Sequence, residues 1–239
     1  MYIDTRQDRE NPSVQAAESE TTSITALAAN RIRADILSGF LEPGRKLKIS
    51  ELSERYDVGA TPVREALSLL TSDALVERID QRGFRVALVS KAEFGELLKT
   101  RCWLEERALS ESIANGDQAW EEALVLAHHH LSRFPRSRGD DGFEANPEWE
   151  VRHKRFHIAL ISACGSSILL RYCEQLYDQN IRYRMIAGTS AYPSRHISEE
   201  HEAILNASLD RNVDEAVLLL INHYEKTGRF LEERLSRGE

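Results

Sequence analysis

Long apolar runs are missing from this chain. No stretch approaches the roughly 18 consecutive apolar residues that a membrane-spanning helix needs, and no N-terminal stretch reads as a signal peptide. Neither a membrane span nor secretion is therefore expected. Cysteine is scarce as well. Cys102, Cys164 and Cys173 show no paired framework and no CxxC spacing, so a disulfide scaffold and a Cys-ligated zinc site are excluded. Three such thiols fit a reducing, cytoplasmic setting. A basic excess is also lacking. The formal net charge is −8 over 239 residues, which argues against an unspecific nucleic-acid coat but leaves local basic surfaces open. What is present is 41% hydrophobic and 29% charged residues, enough for a folded chain with one large core or two smaller ones.

Residues 1–24 are polar and predict a disordered tail. Helical spacing begins at Thr25, with Leu27, Ile32, Ile36 and Leu37, and stops at Gly39 before Pro43-Gly44. "SELSERY" fits a short second helix and "DVGA" a tight turn. In "TPVREALSLLTSDALV", Thr61 is expected as N-cap with Pro62 at the first helical position, and Val63, Ala66, Leu67 and Leu70 form the apolar stripe. "VERIDQRGFRVALV" reads as a two-stranded hairpin with Gln81-Arg82-Gly83 at its tip. Helix, helix, turn, helix, hairpin is the order of a winged helix-turn-helix, here over residues 25–89. Residues 90–239 read as about six helices with short connections, a bundle interrupted by a Gly/Asp/Arg/Pro-rich loop at 135–147. The fold class expected is thus mainly α.

A recognition helix enters the major groove by its N-terminal end, where free N–H groups and the helix dipole favour phosphate. Thr61 and Arg64 occupy that end. Arg64 follows the apolar stripe by one position and points away from the core, towards a phosphate or a guanine edge. Arg82 and Gly83 suit a backbone or minor-groove contact. Lys48 and Arg31 add positive charge, as do Arg33, Lys46 and Arg55.

Four of the eight histidines fall on core-facing helical positions. His153 and His157 share a face with Trp149, Phe156, Leu160 and Cys164. His201 lies with Ile204 and Leu205, and His223 with Ala216, Leu220 and Thr227. One inward histidine is ordinarily a hydrogen-bonded core residue. Four would each bear a desolvation penalty without a shared task, and a divalent transition metal supplies one. Zn2+ is expected first, with Ni2+ or Mn2+ as alternatives. His128, His129 and His130 are consecutive, fan around their helix and cannot converge; His196 is assigned no role. A metal-dependent hydrolase would need a placed general base, and "HKRFH" lacks the acidic residue of an HExxH helix. A purely structural metal in a dimerisation module is the other alternative.

"ILSGFLEPGRKL…ELSERYDVGATPVREALSLLTSDALVERIDQRGFRV" resembles the DNA-binding domain of the GntR family of bacterial transcription regulators, and the later helices resemble the FCD effector domain of its FadR-like branch. The resemblance implies a homodimeric regulator, a repressor in the common case, on a near-palindromic operator. It also implies a metal held by an Asp-x-x-x-His pair and two later histidines. His157, His201 and His223 match those histidines, and His153 stands where Asp is frequent. That exchange favours borderline metals and leaves the centre more electropositive, ready for an anionic effector. Arg101 and Glu105, in "RCWLE", match a family helix whose arginine meets the effector. They are expected at the edge of the inward face, with Arg184, Arg182 and Tyr183 as weaker candidates. Ala60 replaces an arginine that often touches DNA. "ACGSSILLRYCEQLYDQ" is similar to a glutarate-responsive member and implies a small carboxylate or dicarboxylate effector that releases DNA.

Overall fold

The computed structural model describes residues 23–139, 143–187 and 196–237; most of the expected tail lies outside them. The fold is mainly helical, with a winged helix-turn-helix followed by a helical bundle. The first unit comprises α1 (Ile24–Leu37), β1 (Lys46–Leu47), α2 (Ile49–Tyr56), α3 (Ala60–Ser72), β2 (Val76–Ile79) and β3 (Gly83–Val86). The Ser23 hydroxyl accepts from the Ala26 N–H at 3.1 Å and so caps α1. The buried face of α1 is Ala28, Ala29, Ile32 and Ile36, whereas Leu27, one position off that 4-residue ladder, is 40% exposed. The stripe expected on α3 is buried in full.

The start of α3 differs from expectation. Asp57 closes α2 in the left-handed region (φ 53°), Val58 follows, and Gly59 becomes the N-cap of a helix that already includes Ala60. Thr61 and Pro62 are therefore the second and third helical residues. Proline is tolerated there because the first turn has no intrahelical acceptor for its missing N–H. The hairpin is also joined by a third strand. The sheet order is β1-β3-β2, antiparallel throughout, with Leu47 opposite Phe84 and Ile79 opposite Gly83. Two residues are too few for alternation to announce β1. Gln81 (φ 57°) and Gly83 (φ 92°) make the tip, and the glycine's freedom is required at the second.

The bundle comprises α4 (Lys91–Asn115), α5 (Gln118–Ser132), α6 (Pro147–Ile161), α7 (Ser167–Ala187), α8 (Ile197–Leu209) and α9 (Val213–Arg237). Ser90, Asp117 and Asn146 cap α4, α5 and α6, with Pro147 opening α6. The helix α4 packs along α9 closely enough that a Cβ on Gly228 would lie 2.5 Å from Leu98 Cδ2. The core runs from Ala108, Leu109 and Leu124 through Phe156, Leu160 and Cys173 to Ile204, Ala216 and Leu220.

One helix joins the two units. On α7, Gln175 Nε2 donates to the Ser72 carbonyl (3.0 Å), Gln179 Nε2 to the Asp73 carbonyl (3.2 Å) and Arg182 Nη1 to the Ala87 carbonyl (3.2 Å). Asp178 accepts from Arg33 of α1 (3.2 Å) and from Lys154 of α6 (2.5 Å), and Arg33 also pairs with Asp73. Arg33, expected among the DNA-facing cations, thus belongs to the seam between the domains.

Candidate DNA-reading surface and metal centre

The winged unit presents its cations unevenly. Arg64 projects from the first turns of α3, and Arg82 from the hairpin tip; both are exposed and carry no ion pair among the described residues. Thr61 and Gly83 are exposed beside them. Lys48 is exposed but paired with Glu51 at 2.6 Å. The guanidinium of Arg31 donates to the Tyr56 carbonyl at 2.9 Å and ties α1 to the end of α2. Arg55 is held by Asp35 at 2.9 Å and stacks 3.9 Å from the Phe40 ring centroid. The cations best placed to meet a polyanion are those left without partners.

In the bundle, the four histidines meet. His153 and His157 from α6, His201 from α8 and His223 from α9 are all buried, and their ligand atoms lie within 4.8 Å of one another. Convergence comes from the i, i+4 spacing on α6 and from the packing of α8 and α9 opposite it. The surrounding hydrogen bonds set the ring tautomers. His223 Nδ1 faces Glu200 Oε2 at 2.7 Å; a carboxylate only accepts, so Nδ1 carries the proton and Nε2 keeps its lone pair. Tyr224 donates to Glu105, so its oxygen accepts from His157 Nδ1 (2.9 Å), and again Nε2 is left bare. His153 is different. The Tyr177 hydroxyl (2.6 Å) and Arg184 Nη1 (2.7 Å) both face its Nδ1, and the guanidinium can only donate, so the proton sits on Nε2, 3.0 Å from His157 Nε2. To ligate through Nε2, His153 must move that proton to Nδ1 and release Arg184.

Burial, reinforced at His153 by Arg184 and the other imidazoles, holds the pKa of His153 and His157 well below 6.5. Neutral rings with bare nitrogens are what a borderline divalent cation requires, and no carboxylate is among the four ligand atoms. The residues therefore fit such an ion.

Arg101 and Glu105 sit at the centre of the inward face, each 2% exposed, not at its edge as expected. The apolar stripe of α4 is carried by Phe94, Leu97, Ala108, Leu109 and Ile113, and the two charges interrupt it. Arg101 Nε donates to Glu105 Oε1 (2.5 Å), and its Cζ lies 4.0 Å from the Tyr224 ring centroid. Arg184 donates to Glu150 Oε2 at 2.6 Å. Arg101, Arg184, Asn180, His153, His223 and Tyr224 line one small cavity of about 10 Å³, barely room for one water. Among the described residues, Arg101 Nη2, Arg184 Nε and Asn180 Oδ1 are buried without a hydrogen-bond partner. Sequence reasoning did not single out Tyr177, Glu200 or Tyr224, which orient the histidines and arginines. Tyr224 and Glu200 adjoin His223 and His201 in the chain, and Tyr177 lies one heptad before Arg184, so adjacency was the available signal.

Residues 25–86 match the family described as bacterial regulatory proteins, gntR family, and residues 96–226 match the FCD domain. The HTH-type transcriptional regulator BphR of Paraburkholderia xenovorans is 38% identical over 205 residues, covering 86% of this chain and 84% of that protein. The HTH-type transcriptional repressor GlaR of Escherichia coli is 34% identical over 208 residues, covering 84% and 93%. Among solved structures, E. coli McbR/YncC superposes with a TM-score of 0.74 at 23% identity, covering 88% of this chain and 98% of that one, a likeness of fold. With both domains matched in chain order, this chain belongs to the GntR family of bacterial transcription regulators with a C-terminal FCD domain, DNA-binding regulators and not enzymes.

Proposed function

We propose that the protein is a cytoplasmic, homodimeric repressor whose hold on a near-palindromic operator is controlled by a small carboxylate bound beside a divalent cation. The observation that carries this reading is the convergence of four buried imidazoles next to two arginines that each keep a nitrogen unpartnered among the described residues. His157, His201 and His223 hold the cation, with His153 completing the set once Arg184 withdraws; Zn2+ is the first expectation, Ni2+ and Mn2+ the alternatives. The bound ion supplies an electropositive centre with open coordination positions. Arg101 is already fixed by Glu105, so a carboxylate of glutarate size meets a preorganised guanidinium. Arg184 is the movable partner, and the cavity must widen as it leaves Glu150 and His153. Because Arg184 lies on α7, its departure bears on the contacts that α7 makes with Ser72, Asp73 and Ala87. Thr61, Arg64, Arg82, Gly83, Lys48 and Arg31 form the operator face, with Arg64 and Arg82 contributing most. Two winged units in one dimer read two half-sites.

The test begins with operator DNA selected from a random pool and an anisotropy titration with and without glutarate and chelator. A symmetric site whose affinity falls with glutarate only in metal-loaded protein is expected. His157→Ala should bind DNA but neither hold metal nor respond. Full metal content in that variant by elemental analysis would overturn the reading, as would an undiminished glutarate response.

A further inference from the structure

We propose that the crevice between the winged unit and the bundle is a second small-molecule site, built for a monocarboxylate with an aryl or branched alkyl body. The crevice measures about 340 Å³, within the range of small-ligand pockets. Ile36, Pro43 and Val86 come from the winged unit, and Phe143 and Arg182 from the bundle. The lining is mostly apolar, its polar side chains being Arg182, Glu42 and Ser38.

Arg182 is the anomaly. It is 4% exposed, yet among the described residues it has no ion pair. The two other guanidinium groups deep in the bundle each have a carboxylate, Arg101 with Glu105 and Arg184 with Glu150. Among the described residues Arg182 donates to the Ala87 carbonyl, its Cζ lies 5.9 Å from the Tyr183 ring centroid, and its Nε is buried without a hydrogen-bond partner. Burial pushes its pKa down, and the fields of Tyr183, Glu93 and Glu77 offset this only in part. A desolvated charge without an ion pair is unfavourable, and a carboxylate entering the crevice would offset that penalty through a charge-assisted hydrogen bond to the guanidinium. The exposed Glu42 disfavours a second negative charge on the ligand. The site thus differs in preference from the histidine centre, where a dicarboxylate is expected. A ligand here would touch both units and bear directly on their relative placement.

The experiment is a ¹⁹F NMR titration of full-length protein with 4-fluorophenylacetate in the presence of chelator. Saturable binding is expected in the wild type and in His157→Ala, with about tenfold or greater loss in Arg182→Gln. The neutral 4-fluorophenylacetamide should bind weaker by a similar factor. Ser38→Trp, which fills the crevice and leaves Arg182 in place, should also abolish binding and answers the question if Arg182→Gln does not fold. Absence of saturable binding in the wild type would overturn the proposal. So would unchanged binding in Arg182→Gln or Ser38→Trp, equal affinity for the amide, or loss in His157→Ala.

Discussion

The two units of this protein treat polarity in opposite ways. Among the described residues, all thirteen buried polar or charged side chains lie at position 101 or later; the winged unit buries none. Its core is Ala, Ile, Leu, Val, Tyr and Phe, and its cations stand on the surface. A unit that meets a polyanion works outward, and its interior need only be apolar and rigid. A unit that meets a small ligand must bury the groups that recognise it, and each then needs partners of its own. Hence the bundle carries a connected network from Glu200 and His223 through the histidines to Tyr224, Glu105 and Arg101, with Arg184 and Glu150 on its far side.

This contrast can be tested by disturbing each interior and each surface in turn. The largest effect should come from Glu105→Ala, which leaves Arg101 buried without its partner and should destabilise the bundle by about 3–5 kcal/mol in urea unfolding. A loss below about 1 kcal/mol would mean that the network is not a structural requirement. Arg64→Ala should weaken operator binding about 5- to 100-fold in gel-shift titrations, with melting temperature and metal content unchanged. Retention of wild-type affinity would remove Arg64 from the interface.

Between about pH 7 and pH 5, acid should act chiefly on the bundle. His153 and His157 resist protonation when folded, whereas in the unfolded chain they take up protons near pH 6.5. The stability they contribute is therefore present above pH 6.5 and lost as pH falls below it. Urea midpoints of chelator-treated protein should drop between about pH 7 and pH 5, and His153→Phe should flatten the profile. The smallest effect is expected at the surface: Lys48→Ala, which removes an exposed ion pair, should lower the salt slope of DNA binding by about one and leave folding alone.

Much of this architecture is legible in the sequence because periodicity reports which face of a helix is buried. The α3 stripe, the hairpin around Arg82-Gly83 and the six later helices follow from spacing and punctuation. The inward direction of His153, His157, His201 and His223 follows likewise. Periodicity does not report depth, which is why Arg101 and Glu105 read as edge residues although they occupy the middle of α4's buried face. Nor does it report second partners. That Glu200 orients His223, that Tyr224 orients His157, and that Arg184 pins His153 in the opposite tautomer are facts of tertiary placement. Arg33 illustrates the same limit: its charge suggested DNA, and its partners Asp73 and Asp178 are fixed only when α7 docks.

The helix α7 is held on two sides at once, by the backbone of the winged unit along Gln175, Gln179 and Arg182 and by the histidine cluster along Tyr177 and Arg184. Its rotation is thereby shared between the halves. Deleting Tyr183 would turn Arg184 by about 100° relative to Gln175, Tyr177, Gln179 and Arg182, and would also remove a side chain buried against Phe94 and Leu97. Arg184 could then no longer meet His153 and Glu150 while Arg182 holds the Ala87 carbonyl, so the phase of one helix is the quantity on which communication within this molecule depends.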